Sequence, residues 1–72
     1  MRIIIIIKDD GTFYCNNDIE GLYNIKEYIL QFPKDTPIHI NSDKNAKFET
    51  FVSVLDMLKR YEYSNISIVT KK

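Results

Sequence analysis

Residues 37–70 read PIHINSDKNAKFETFVSVLDMLKRYEYSNISIVT, and the hydrophobic period changes twice within this stretch. Residues 38–41 alternate between apolar and polar side chains, which is the period of a strand with one buried face. Residues 48–58 carry apolar side chains at every third or fourth position, which predicts an amphipathic helix. Alternation returns over residues 66–70. The stretch therefore predicts a strand–helix–strand unit, with two parallel strands and a right-handed crossover.

The first half of the chain predicts a β-hairpin. Residues 3–7 are five isoleucines, whose side chains point to both faces of a strand, as expected of an interior strand. The sequence Asp-Asp-Gly at residues 9–11 favours a turn, so we interpret its two carboxylates as turn residues. A returning strand over residues 12–16 follows. We interpret Cys15 within it as a small buried hydrophobe.

An apolar stripe over residues 19–32 predicts the first helix. Residues 17–18 (Asn-Asp) are suited to its N-cap. Gly21 is expected to weaken this helix, because glycine is less favourable than alanine in a helix interior. Pro33 should end it, because the residue before a proline avoids the helical region.

The second helix is expected to begin after an N-cap at Asn45. Its apolar stripe places Phe48 on the buried face, and Met57 falls on the polar side, where we expect partial exposure. No glycine ends this helix. Asn65 is the residue of the following loop that best tolerates a left-handed conformation.

These elements predict an α+β fold, a β-β-α-β-α-β two-layer sandwich forming a single domain over residues 1–72. The sheet is expected to be mixed and four-stranded, with spatial order 2-1-3-4 and both helices on one face. Strand one is expected to run antiparallel to strand two, and strands two, three and four parallel to one another. The open face then carries isoleucines of strand one, and an uncovered apolar patch is a candidate interaction surface.

Composition argues against several functions. Ten basic and ten acidic residues cancel, which argues against broad nucleic-acid binding. The two glycines lie far apart and make no phosphate-binding loop. We expect no catalytic residue, cofactor or metal site, and we interpret His39 as a structural or solvated histidine on the open sheet face. The isoleucine run is too short to span a bilayer, so an anchor would lie outside these 72 residues.

The chain resembles the periplasmic domain of the ExbD/TolR family. That family has a strand ending in Asp-Lys, then an aromatic residue, a helix with a Val-x-Asp-x-Leu-like segment, and a last strand ending in an apolar-Val-Thr-like motif. The corresponding residues here are Asp43-Lys44, Phe48, Asp56 and Ile68-Val69-Thr70. The resemblance covers nearly the whole chain and is looser in the first half. The family's usual Ala-Gly pair before the last strand is replaced here by Tyr61-Glu62.

The resemblance implies a role in transport. Members of this family are single-span inner-membrane proteins of Gram-negative bacteria. With an ExbB- or TolQ-like membrane partner they use the proton-motive force to drive TonB- or TolA-like proteins. The proton-carrying aspartate lies in the transmembrane helix, which these residues lack. The resemblance therefore implies a soluble, homodimeric, partner-binding domain on the periplasmic side of the inner membrane, without enzymatic activity.

An edge strand offers unpaired backbone groups, so an extended periplasmic segment of a TonB-like protein could bind it by strand addition. The candidates are the edge of the last strand and the open face, with these partner-binding residues: Asp43, His39, Asn41, Ser67, Ile68, Val69 and Thr70. Simple core packing of Ile68 and a helix-orienting turn at Asp43 are the structural alternatives. Two other functions stay open, a TolR-like peptidoglycan-binding domain of the Tol–Pal system and a free-standing cytosolic interaction or nucleic-acid-binding module.

Overall fold

The computed structural model describes residues 1–16 and 19–71. Within them it contains two helices and a mixed five-stranded sheet with spatial order β3-β2-β1-β4-β5. The α+β class is therefore confirmed. The elements, in chain order, are β1 Ile3–Ile7, β2 Phe13–Cys15, β3 Ile19–Glu20, α1 Leu22–Ile29, β4 Ile38–Asp43, α2 Phe48–Arg60 and β5 Ile66–Lys71.

The isoleucine strand β1 lies in the interior of the sheet, as its sequence predicts. It pairs antiparallel with β2 and parallel with β4. Alternate residues of β1 are buried, and they join one apolar cluster with buried residues of both helices. Both helices therefore cover the same face. The members of this core are Ile3, Ile5, Ile7, Cys15, Ile25, Ile29, Ile38, Ile40, Val54, Met57, Leu58 and Tyr63.

The predicted four-stranded sheet lacks one strand, and its predicted strand directions are wrong. Residues Ile19–Glu20 form the additional edge strand β3, antiparallel to β2. The chain thus reverses once more before α1, and the crossover starts from β3 instead of β2. As a result β1, β4 and β5 run parallel, whereas β2 runs against them. The relative order of the four longer strands agrees with the prediction.

Helix α1 is shorter at both ends than the predicted helix. It begins at Leu22 and ends at Ile29, before Pro33. Gly21 lies at the N-cap with φ 89°, so it supplies a left-handed conformation outside the helix and does not weaken the helix interior. The N-cap predicted at residues 17–18 lies outside the described residues.

Helix α2 corrects three further expectations. Its N-cap is Lys47, in an extended conformation, and not Asn45. Phe48 is 77% exposed and Met57 only 7% exposed, the reverse of what we expected. The buried stripe is centred on Val54, and at 100° per residue Phe48 lies about 120° away from it around the helix, whereas Met57 lies only about 60° away.

The end of α2 is closed by two backbone hydrogen bonds. The Glu62 N–H donates to the Lys59 C=O at 3.0 Å, and the Tyr63 N–H donates to the Leu58 C=O at 2.9 Å. This is a Schellman motif, with Glu62 in the left-handed position at φ 69°. Asn65, which we expected to be the residue of this loop most tolerant of a left-handed conformation, does not take it.

Replacing Glu62 with glycine is expected to stabilise the domain by about 1 kcal/mol. A left-handed conformation costs a residue with a Cβ about 1–2 kcal/mol, and the freer unfolded chain of the glycine variant offsets part of the gain. The melting temperature should rise by about 4–8 °C, measured by circular dichroism. Ser64→Gly is the control, because Ser64 has no positive φ to relieve, and it should lower the melting temperature. An unchanged or lower value for Glu62→Gly would contradict the strain at this position.

Tyr63 connects the two helices through its hydroxyl. The ring is 1% exposed, and its hydroxyl oxygen lies 2.8 Å from the carbonyl oxygens of both Ile29 and Phe32, at the end of α1. Burial raises the pKa of Tyr63. Because α2 leads directly through Tyr63 into β5, this contact fixes the start of β5 against α1.

Cys15 is fully buried, which confirms the interpretation of a small core hydrophobe. Burial raises the pKa of its thiol to about 11. A thiol that stays protonated and has no access to solvent is a poor nucleophile at neutral pH. Cys15 therefore contributes packing to the sheet and no chemistry.

Candidate functional site

Strand β5 forms one edge of the sheet. It pairs with β4, and no other strand of the described residues lies on its outer side. Ile68 and Val69 are each 49% exposed. Apolar side chains and free backbone groups therefore occur together along this edge, and such an edge is a template for pairing with another chain.

The hydrogen-bond phase of β5 determines which backbone groups face outward. The Ile38 N–H donates to the Asn65 C=O at 2.8 Å, and Ile38 lies opposite Ile66 in the parallel register. In such a ladder the N–H and C=O of one residue point to the same side, and successive residues point to opposite sides. Odd-numbered residues of β5 therefore bond to β4. The N–H and C=O groups of Ile68 and Thr70 point to the free edge.

The side chains of the predicted site divide between the two faces of the sheet. In the register of β4 and β5, His39 lies opposite Ser67, and Asn41 lies opposite Val69. These four residues share the open face. Ile68 and Thr70 lie on the other face, beside α2, because they pair with the inward-facing Ile40 and Ser42. The predicted residues are thus brought together on adjacent strands, but a single partner surface cannot contact all of their side chains at once.

The open face offers hydrogen-bonding groups and apolar area. His39 and Asn41 are half-buried in the sheet, and Ile4 and Ile6 of β1 lie in the adjacent row. Among the described residues, no group of three or more histidine, cysteine or acidic side chains is placed to hold a metal ion. In the same part of the chain, no helix is long and apolar enough to cross a membrane.

A groove between α2 and β5 was missed by the sequence analysis. One hollow of about 600 Å³ lies between the C-terminal half of α2 and the start of β5, lined in part by Leu55 and Ile66. A second hollow of about 250 Å³ lies near the start of α2, lined in part by Phe48 and Phe51. Ile68 lines both hollows. The angular position of Phe48, far from Val54 around α2, was the pattern that could have revealed this groove.

Comparison with known families gives a match over residues 1–72 to the family described as Biopolymer transport protein ExbD/TolR. The chain belongs to this family. The resemblance to the ExbD/TolR family, which the sequence analysis found over nearly the whole chain, is thereby confirmed over residues 1–72.

Curated relatives agree with this assignment. Biopolymer transport protein ExbD of Aquifex aeolicus is 36% identical over 70 residues, covering 97% of this chain and 53% of that protein. Biopolymer transport protein ExbD of Helicobacter pylori is 29% identical over 69 residues, covering 96% of this chain and 54% of that protein. The Putative biopolymer transport protein ExbD-like 2 of the same species is 27% identical over 70 residues, covering 97% of this chain and 53% of that protein. The chain spans about half the length of these relatives.

Membership of the ExbD/TolR family identifies a class of function. Proteins of this family are membrane-associated accessory proteins of biopolymer transport, and they are not enzymes. The chain corresponds to about half the length of each relative. The question for the candidate site is therefore what it binds.

Within the ExbD/TolR resemblance Asp43 was a candidate for partner binding, and the structure shows its local role. Its Oδ1 accepts a hydrogen bond from the Asn45 N–H at 2.8 Å, and its carbonyl oxygen accepts one from the Ala46 N–H at 3.1 Å. This is an Asx-type turn, which leads the chain from β4 into α2. The structural alternative for Asp43 thus has direct support, and a role in partner binding stays a prediction.

Replacing Asp43 with alanine is expected to lower the free energy of unfolding by about 1 kcal/mol, because the Asn45 N–H loses its acceptor. Asp43→Asn is the matched control, since its amide oxygen can still accept the bond. Thermal unfolding measures this loss of stability. Affinity for a TonB-like peptide, corrected for the folded fraction, tests the role in partner binding, and it stays unchanged if Asp43 only forms the turn. A stable Asp43→Ala variant with reduced affinity would assign Asp43 to the binding surface instead.

Proposed function

We propose that this chain is the partner-binding domain of an ExbD-type protein that couples the proton-motive force to TonB-dependent transport. In this proposal the domain lies on the periplasmic side of the inner membrane of a Gram-negative bacterium. A single-pass anchor outside these residues connects it to an ExbB-like membrane partner, and the domain acts as a homodimer. The domain carries no proton chemistry of its own. Its task is to bind an extended periplasmic segment of a TonB-like protein.

The observation that carries the proposal is the free edge of β5. The outward N–H and C=O groups of Ile68 and Thr70 can exchange hydrogen bonds with an extended segment, which then continues the sheet. Exposed apolar side chains at the same edge add contact area. The ExbD names of the relatives support a transport role, and the edge supports this mode of binding.

The test is an amide-resolved NMR titration of the domain with a synthetic peptide from the periplasmic part of a TonB-like protein. We expect shifts in residues 66–70 and new contacts between peptide and β5 amide protons. A peptide of the same composition in scrambled order is the control. No shift in β5 at millimolar peptide would contradict the proposal.

A second candidate function is a TolR-like peptidoglycan-binding domain. Polar groups of His39, Asn41 and Ser67 lie near one another on the open face, and such a group of donors and acceptors suits a polysaccharide. Titration with soluble muropeptides distinguishes the two candidates, because it should shift these three residues and leave the outer edge of β5 unperturbed. A free-standing nucleic-acid-binding module receives no support from the family or from the zero net charge.

A further inference from the structure

The α2–β5 groove consists of the two hollows beside the free edge of the sheet, and its lining is partly apolar and partly polar. We define it by the apolar residues that line its two hollows: Ala46, Phe48, Phe51, Leu55, Tyr63, Ile66 and Ile68. Val52 lies one turn of α2 after Phe48, on the same side of the helix, and is 41% exposed. Single exposed apolar residues are ordinary on a protein surface. Here they are contiguous, concave and adjacent to unpaired backbone groups, which is the combination found at interaction sites.

The register of β5 connects the groove to the free edge. Ile68 and Thr70 turn their N–H and C=O groups to the edge and their side chains toward α2. In an added antiparallel strand, the residues that exchange hydrogen bonds with Ile68 and Thr70 lie directly opposite them. Paired residues project from the same face of a sheet. The hydrogen-bonded residues of the added strand therefore place their side chains over the groove.

The spacing of the two hollows suits alternate residues of an extended chain. Ile68 lies between the hollows, with Ile66 in one and Thr70 in the other. Residues at positions i and i+2 of a strand are about 6.6–6.8 Å apart. Successive inward-facing side chains of an added strand would thus enter successive hollows, while the intervening side chains lie beside Ser67 and Val69. A helical ligand could fill the groove, but it would leave the outward groups of Ile68 and Thr70 unpaired.

The charges at the ends of the groove balance. Lys59 and Glu62 flank one hollow, and Asp43 and Lys44 flank the other. Each end therefore carries one acidic and one basic side chain, so neither end favours a ligand of a particular charge. Selection along the groove must come from apolar contact.

We propose that the α2–β5 groove selects its partner by an alternating pattern, an extended segment with apolar side chains at every second position. The outward backbone groups of β5 hold the segment, and the groove sets which sequences fit. This inference rests on the proposed function, because it takes the occupant to be an extended segment of a partner protein. It goes further by naming the sequence pattern that the occupant carries.

Two peptides of identical composition test the pattern. Lys-Val-Thr-Val-Thr-Val-Lys carries valine at alternate positions, whereas Lys-Thr-Val-Val-Val-Thr-Lys groups the valines together. Both peptides have capped ends, and affinity is measured by NMR titration. We expect the alternating peptide to bind about tenfold more tightly, because only it can place three valines on the groove face. Equal affinities would overturn the inference.

Phe48→Ser tests the role of the groove. Phe48 is 77% exposed, so its loss should leave the fold intact, which thermal unfolding will check. The matched control is Tyr23→Ser, which removes an aromatic side chain of 67% exposure on α1. We expect Phe48→Ser to reduce the preference for the alternating peptide to about threefold or less, and Tyr23→Ser to leave it unchanged. If folded Phe48→Ser kept its full preference for the alternating peptide, the inference would be overturned.

The outcomes separate this inference from the proposed function. A TonB-like peptide can shift the β5 amide signals while the two test peptides bind equally and Phe48→Ser has no effect on affinity. In that case the proposed function stands and the groove inference fails. If no peptide shifts β5, both fail. Sedimentation of the free domain identifies a third result. A dimer that Phe48→Ser dissociates would show that a second copy occupies the groove, and it would overturn selection of a partner segment.

Discussion

Ile5→Ala is expected to remove about 2–5 kcal/mol of stability, because Ile5 is fully buried in the middle of β1 and its truncation leaves a cavity in the core. In the sheet Ile5 lies between Cys15 and Ile40, which belong to the same core. A domain of this length has a total stability of about 4–11 kcal/mol. The variant should therefore be partly or largely unfolded at 37 °C. Urea unfolding at 25 °C, followed by circular dichroism, measures the loss.

Ile6→Ala is the matched control for this prediction. Ile6 is the next residue of the same strand and lies between Tyr14 and Asn41 on the open face, where it is half-buried. Less apolar area returns to water in this variant, so we expect a loss of about 1 kcal/mol. The slope of the unfolding free energy against urea concentration should be the same for both variants and the native chain. Similar losses for Ile5→Ala and Ile6→Ala would contradict the placement of both helices on one face.

The contrast between these two isoleucines shows what could be predicted from sequence. Five isoleucines in succession predict an interior strand, and the structure confirms it. The run alone contains no information on which alternate set is buried. That follows from the register with β4, in which Ile5 lies opposite Ile40 and Ile6 opposite Asn41. Sequence patterns therefore predict that a strand is central more readily than they predict its two faces.

The additional strand β3 could not be recognised from periodicity. Two residues are too few to show alternation, and Ile19 fits the spacing of the helical stripe that follows it. Its side chain reaches the core from a strand, opposite Cys15, and not from α1. Strand β3 also explains why the predicted strand directions were wrong. The chain reverses once more before Gly21, so the crossover begins from a strand that runs opposite to β2.

The candidate site was predictable in part for a similar reason. The last strand could be recognised as an edge, and Ile68, Val69 and Thr70 were candidates along it, with core packing as the alternative for Ile68. Which of their backbone groups are free depends on the hydrogen-bond phase with β4, which no side-chain pattern encodes. Phe48 was assigned to the core because its spacing along α2 fits an apolar stripe. Its exposure depends on where the sheet stops covering the helix, and this is a property of the assembled fold.

Thr70→Pro is expected to weaken binding of a TonB-like peptide by about tenfold or more while leaving the domain folded. The Thr70 N–H points to the free edge, so proline at this position removes no bond between β5 and β4. It removes one donor from the edge, and its ring obstructs a strand that approaches there. The loss of one backbone hydrogen bond with its partner left unpaired corresponds to about 1–3 kcal/mol, or about fivefold to 150-fold in affinity.

Two controls distinguish the backbone of Thr70 from its side chain and from general damage to β5. Thr70→Ala keeps the N–H and loses only the side chain, so peptide affinity should change by about threefold or less. Val69→Pro removes an N–H that points to β4, so it should lower the melting temperature clearly more than Thr70→Pro does. If folded Thr70→Pro bound the peptide as tightly as the native chain, the segment would not be added at this edge. If Thr70→Ala lost as much affinity as Thr70→Pro, side-chain contacts in the groove would hold the segment, and backbone pairing would be secondary.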